Sequence, residues 1–211
     1  MALLTYNYYC PKLGMASELR ILAPDTCLRG EVEAAGLLFL LPREGENGLS
    51  LLTEAGLGTY VEKMNIVIVI PPCLEGCFTD MVYGYPFYQS LKYVREYLGT
   101  YLPGLLRKHV KYAVAGYGIS AMAALRWAHE EPDFFSAVGV INSLLDPAME
   151  PQGYFTEKRL SNLFGEPEER VRKRDRFLAE CHDGTVKNVC YTDRPEDFMK
   201  YYEEILLNEG R

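Results

Sequence analysis

The segment Tyr112-Ala113-Val114-Ala115-Gly116-Tyr117-Gly118-Ile119-Ser120-Ala121 carries the strongest chemical signal in the sequence. An apolar strand runs into a glycine turn and then directly into a helical stretch. Two chemistries use that geometry. In the first, Gly116-x-Gly118-x-x-Ala121 fits G-x-G-x-x-A, where glycines let a pyrophosphate approach a helix N-terminus. That motif normally opens a fold, and here it lies past the midpoint. The acid expected about twenty positions later is replaced by Ile141-Asn142. In the second chemistry, G-x-S-x-G sets a nucleophilic serine on a strained strand-to-helix bend. Here Gly118 occupies the serine's place, and Ser120 occupies the place of the last glycine.

Few other side chains offer reactive groups to that turn. Ser120 reads either as a displaced nucleophile without a base or as a helix N-terminal serine bonding nearby backbone. His109, His129 and His182 each fall on or at the end of a helical stretch, as surface or helix-end residues. Cys73 and Cys77 lie close together, but no second pair has ligand spacing. They read as loop or core thiols, and neither a metal nor a cofactor is expected. Cys77, Phe78, Thr79, Asp80 and Tyr83 share a loop that can line a pocket beside the turn. Glu130-Glu131 and the run Glu166–Arg176 read as solvated faces.

The elements that must position these residues alternate in type. Ile21–Ala23, Gly36–Leu41, Asn65–Ile70, Tyr112–Ala115, Ala137–Ile141 and Asn188–Tyr191 are short apolar runs, as expected of central parallel strands. Helices are expected over Glu54–Met64, Pro86–Lys108, Ile119–His129, Glu166–Cys181 and Pro195–Leu207. Pro195, with Glu196 and Asp197 beside it, makes a good helix start. The order predicts one α/β domain over residues 1–211, a doubly wound, mostly parallel sheet flanked by helices. Ligands in such sheets gather at the carboxyl ends of the strands.

Composition sets the outer limits. The 211 residues are 48% hydrophobic and 24% charged, which excludes disorder, collagen and coiled coil. A net charge of −7 argues against a broad electrostatic grip on nucleic acid. The N-terminus lacks the pattern of a signal peptide, and no apolar run reaches the ~20 residues that span a bilayer. The expected location is cytoplasmic, with all six cysteines as free thiols. Sixteen tyrosines and nine phenylalanines supply anchors for a homo-oligomer.

Several segments in order resemble the tributyrin-esterase branch of the α/β-hydrolase fold, the group that includes acetyl-esterase and S-formylglutathione-hydrolase-like enzymes. Tyr8-Tyr9 through Met15 and Ile21–Asp25 are similar to its first hairpin. Leu38–Leu41 resembles its YLLHG strand, and Asn65–Pro71 its NLIVVMP segment. Gly76–Asp80 with Tyr83-Gly84 and Phe87-Tyr88 resembles GWYTD..YG..YY, and Glu196-Asp197-Phe198 resembles QDF.

The resemblance implies a serine esterase whose machinery has decayed. The nucleophile position falls on Gly118, and the acid position falls on Asp197, which is retained. The His-Gly oxyanion motif falls on Pro42-Arg43, and proline has no N–H to donate. The N–H of Ile119 remains as one oxyanion donor. The family's histidine and last edge strand lie beyond the last helix, a place the sequence does not reach before Arg211. The expectation is a catalytically inactive protein with a binding or assembly role and a small-molecule ligand in the vestigial cleft. The alternatives are a weak ester hydrolase using Ser120 or another subunit's residue, and a nucleotide binder through Gly116-x-Gly118-x-x-Ala121.

Overall fold

A computed structural model describes residues 1–46, 48, 50, 56–101, 111–143 and 155–208. Its seven strands are β1 (Ala2–Cys10), β2 (Met15–Ala23), β3 (Gly36–Leu41), β4 (Ile66–Ile70), β5 (Lys111–Tyr117), β6 (Phe135–Ile141) and β7 (Val189–Thr192). They form one sheet in the order β1-β2-β4-β3-β5-β6-β7. β1 and β2 pair antiparallel, as do β2 and β4, and every other pairing is parallel. Among the described residues the sheet ends at β7.

The helices are α1 (Asp25–Leu28), α2 (Leu57–Met64), α3 (Phe87–Tyr101), α4 (Ser120–Glu130), α5 (Glu157–Phe164), α6 (Pro167–His182) and α7 (Pro195–Asn208). Strand side chains alternate between faces, so an apolar run divides by parity. Leu37, Phe39 and Leu41 pack with α3 and α4 on one face. Leu38 and Leu40 pack with α2 and α7 on the other. The same division separates Val67 and Val69 from Ile66, Ile68 and Ile70. The strands are therefore apolar throughout because both faces are covered.

Several boundaries differ from the expected ones. Asn65 belongs to no strand: it ends α2 in the left-handed region, with φ 51°. The first expected strand is longer, forming half of a hairpin, and α5 had no counterpart in the expectations. Of the expected helix Pro86–Lys108, positions 102–108 lie outside the described residues, as do Glu54, Ala55 and His109.

β3 and β5 are neighbours, while the chain between them visits β4 on the far side of β3. A crevice therefore opens between the carboxyl ends of β3 and β5, where the strand order reverses. Below it, Trp127 is fully buried against Phe39 and Phe135, with ring centroids 5.0 and 5.1 Å away. Replacing it leaves a hole between sheet and helix. Trp127→Ala is expected to cost about 3–5 kcal/mol in urea unfolding followed by circular dichroism.

Candidate functional site

Leu41 ends β3 beside Gly116 of β5, and the crevice begins there. Gly116 is required by packing: a Cβ would run into the backbone of Ser120 and Ala121. Gly118 is required by conformation, with φ +59°. Its N–H donates to the Ile141 carbonyl at 2.9 Å, and its carbonyl accepts from Ala121 N–H at 3.1 Å. The bend carries β5 into α4 within three residues. Among the described residues, a Cβ at Gly118 would touch only Arg43, at 3.7 Å from Cγ and 3.9 Å from Nε.

Ser120 is fully buried. Its hydroxyl donates to the Pro42 carbonyl at 2.7 Å, and Cys73 Sγ lies 3.7 Å from the same hydroxyl oxygen. The residue thus joins the end of β3 to the first turn of α4, as a helix N-terminal serine bonded to backbone. Arg43 reaches back over the bend, its guanidinium carbon 4.1 Å from the centre of the Tyr117 ring. The position that the resemblance gives to an oxyanion donor is therefore a proline without N–H, followed by a cation lying against the elbow.

The neighbouring loops are tied together by contacts absent from the sequence expectations. Glu44 forms an ion pair with Arg159 of α5. Arg159 also donates to the Glu75 carbonyl at 3.0 Å, and the Cys77 thiol donates to Glu44 at 3.4 Å. Contact with the Cys73 thiol, and then burial, pushes the Cys77 thiol far up from its ordinary range. Cys77 is therefore held neutral, as an inert thiol. It and Phe78 adopt left-handed backbone, with φ 45° and 57°.

The loop residues expected to line a pocket separate into two groups. Phe78, Thr79 and Asp80 border a cavity of about 710 Å³ that runs along α4, α5 and α6. Cys77 does not border it, and neither does Tyr83, which is exposed and donates its backbone N–H to the Asn162 carbonyl at 3.1 Å. Gly118, Ile119 and Ser120 do not border it either. The cavity thus lies beside α4 and not over the elbow. Asp80 also steadies the start of α3, where its carboxylate accepts from the N–H groups of Tyr88 and Gln89 at 2.9 and 3.1 Å.

Asp197 sits in the first turn of α7, after the edge strand. That strand is two places from β5, about 10 Å of interstrand spacing. The Asp197 carboxylate is held by Arg194, at 2.9 Å to each oxygen, and the Arg194 guanidinium lowers its pKa from the ordinary value. His129 lies nine residues along α4 from Ser120, about 13 Å of helical rise, with Asp183 3.8 Å away. His109 and the His182 side chain lie outside the described residues. Among the described residues no group of three metal-ligating side chains converges. Cys10, Cys27, Cys73, Cys77 and Cys190 are free thiols, as expected. No described helix is long and apolar enough to cross a membrane.

Two substitutions test this corner. Ser120→Ala leaves the buried Pro42 carbonyl without its hydroxyl donor and is expected to cost about 1–3 kcal/mol in denaturant unfolding. Gly116→Ala forces α4 away from β5 and is expected to cost about 3 kcal/mol in the same measurement.

No protein-family model and no curated protein matches the chain. Solved structures do. FphF, a fluorophosphonate-binding serine hydrolase of Staphylococcus aureus, is similar with a TM-score of 0.67 at 13% identity, over 99% of this chain and 96% of its own. The S-formylglutathione hydrolase FrmB of the same organism gives 0.65 at 13% identity, covering 97% and 96%. A ferulic acid esterase gives 0.64 at 14% identity, covering 98% and 95%. With this strand order and these neighbours, the chain has the α/β-hydrolase fold found in serine hydrolases and esterases.

Proposed function

We propose that this chain is a non-hydrolytic relative of the tributyrin-esterase branch, whose retained role is to bind a small molecule or to assemble with other copies of itself in the cytoplasm. The observation that carries this reading is the state of the elbow. Gly118 bears no nucleophile, and the adjacent Ser120 hydroxyl is buried and committed to the Pro42 carbonyl.

Acyl transfer by a serine needs an activated oxygen, a base to take its proton and donors for the oxyanion. Glycine supplies no oxygen. For Ser120 to attack, its hydroxyl must leave the Pro42 carbonyl and reach solvent, which breaks the tie between β3 and α4. The described imidazole, His129, stands at the opposite end of α4. Pro42 removes one candidate oxyanion donor, and the loss of one such donor alone costs about 3 kcal/mol of transition-state stabilisation. Arg43 and Tyr117 then present a cation and a ring at the crevice, groups suited to recognition.

The test is hydrolysis of p-nitrophenyl butyrate together with labelling by a fluorophosphonate. The wild-type chain, Ser120→Ala and Gly118→Ser are all expected to match the buffer rate, and none is expected to take the label. Wild-type turnover that disappears in Ser120→Ala would reinstate the ester-hydrolase alternative. A thermal shift with NAD or NADP would instead favour the nucleotide reading of Gly116-x-Gly118-x-x-Ala121.

A further inference from the structure

The two edges of the sheet differ in their protection. β7 spans four residues, with Asp193 and Arg194 directly after it. A short strand with adjacent charge discourages pairing at an edge. The opposite edge, β1, is nine residues long. Its sequence, Ala-Leu-Leu-Thr-Tyr-Asn-Tyr-Tyr-Cys, has no charge, proline or glycine, and it pairs with β2 in one unbroken register. Such an edge is a ready template for another strand. Leu3, Thr5, Asn7 and Tyr9 are exposed on one face, Leu3 by 44% and Tyr9 by 64%. On the other face Tyr8 is buried, and its ring begins a row through Tyr97, 4.8 Å away, to Tyr101, 4.7 Å further on. Tyr101, at the end of α3, is exposed.

This strand is complementary to itself. Two β1 strands laid antiparallel about Tyr6 overlap along all nine residues. Leu3 then meets Tyr9 of a second copy, and Thr5 meets Asn7. Facing residues have the same parity, so each face stays continuous. The large exposed side chains Leu3 and Tyr9 thereby cover each other, once on each side of the twofold axis. The ends match in charge. Lys12, in the turn after β1, is exposed and has no carboxylate partner. At the other end, Asp25 and Glu62 share the single ammonium of Met1, which leaves one negative charge uncompensated. Antiparallel pairing sets Pro11 opposite Met1 and so brings Lys12 beside that acidic end. Exposed pairs add little energy but favour this orientation over a parallel one. The area is sufficient. Nine residues make an edge about 30 Å long, and strand plus helix give it a depth of about 20 Å, so the pair buries about 1,200 Å² in all, the lower bound for a stable interface.

The geometry points to β1 as the surface through which two copies of this chain join, edge to edge and antiparallel, into a closed dimer. One sheet then runs through both copies. The inference rests on the assembly role proposed above and names its surface.

Sedimentation velocity tests it by exchange of charge. At about 100 µM the wild-type chain is expected to sediment as a dimer, and dilution is expected to dissociate it. Thr5→Lys with Asn7→Lys sets like charges opposite each other across the axis, as does Thr5→Glu with Asn7→Glu. Each double variant is expected to self-associate at least about tenfold more weakly, and an equal mixture of the two is expected to restore the dimer. If circular dichroism shows either to be unfolded, Leu3→Lys with Tyr9→Lys and Leu3→Glu with Tyr9→Glu replace them, with the same expectations. A wild-type monomer at every loading would overturn both this surface and the assembly role. A dimer that persists in the folded double variants, or a mixture that stays monomeric, would overturn this surface and leave assembly standing. Growth beyond the dimer would overturn the closed pair. A monomer that binds an uncharged Val-Thr repeat peptide would overturn the choice of a second copy in favour of a strand from another protein.

Discussion

The close approach of α4 to β5 is the constraint on which the rest of the molecule depends. Only a hydrogen fits at Gly116, because the first turn of α4 presses its backbone against the strand. That proximity lets Ser120 reach across to Pro42 and close the corner between β3, β5 and α4. Loops on either side are then joined by Glu44, Arg159 and Cys77. An active serine esterase would use this corner to hold a hydroxyl under strain. Here the corner holds a glycine, and the nearby hydroxyl serves the architecture.

Much of the sheet was legible because its strands are apolar on both faces. Gly36–Leu41 and Ile66–Ile70 admit little else once their short length and bounding prolines are considered. Two misreadings have physical causes. Asn65 sits next to an apolar run but adopts the left-handed conformation that caps α2, and asparagine tolerates that conformation better than most residues. α5 spans eight residues, too few for a clear period, although Thr156 caps it by accepting from Arg159 N–H at 3.3 Å.

The site was legible only where it is local. The glycines and Ser120 lie in one unbroken segment, so their register could be read directly. The acceptor for Ser120 is 78 residues away, and the partner of Glu44 is 115 residues away. No periodicity or spacing links such pairs. The charged run Glu166–Arg176 was expected to be a solvated face, and most of its ion pairs are indeed exposed. Its remaining side closes a cavity with the flank of α4, a juxtaposition that depends on the helix's position in three dimensions.

The buried sulfur atoms have a further consequence. Cys10, Cys73 and Cys77 are sealed within the core, while Cys27 and Cys190 are partly accessible. Among the described thiols, an alkylating reagent should therefore meet two classes. The accessible class reports the intact surface. The sealed class becomes reactive only when the hairpin or the loop beside the elbow opens, so its rate of modification is an intrinsic clock for breathing of the protein around that corner.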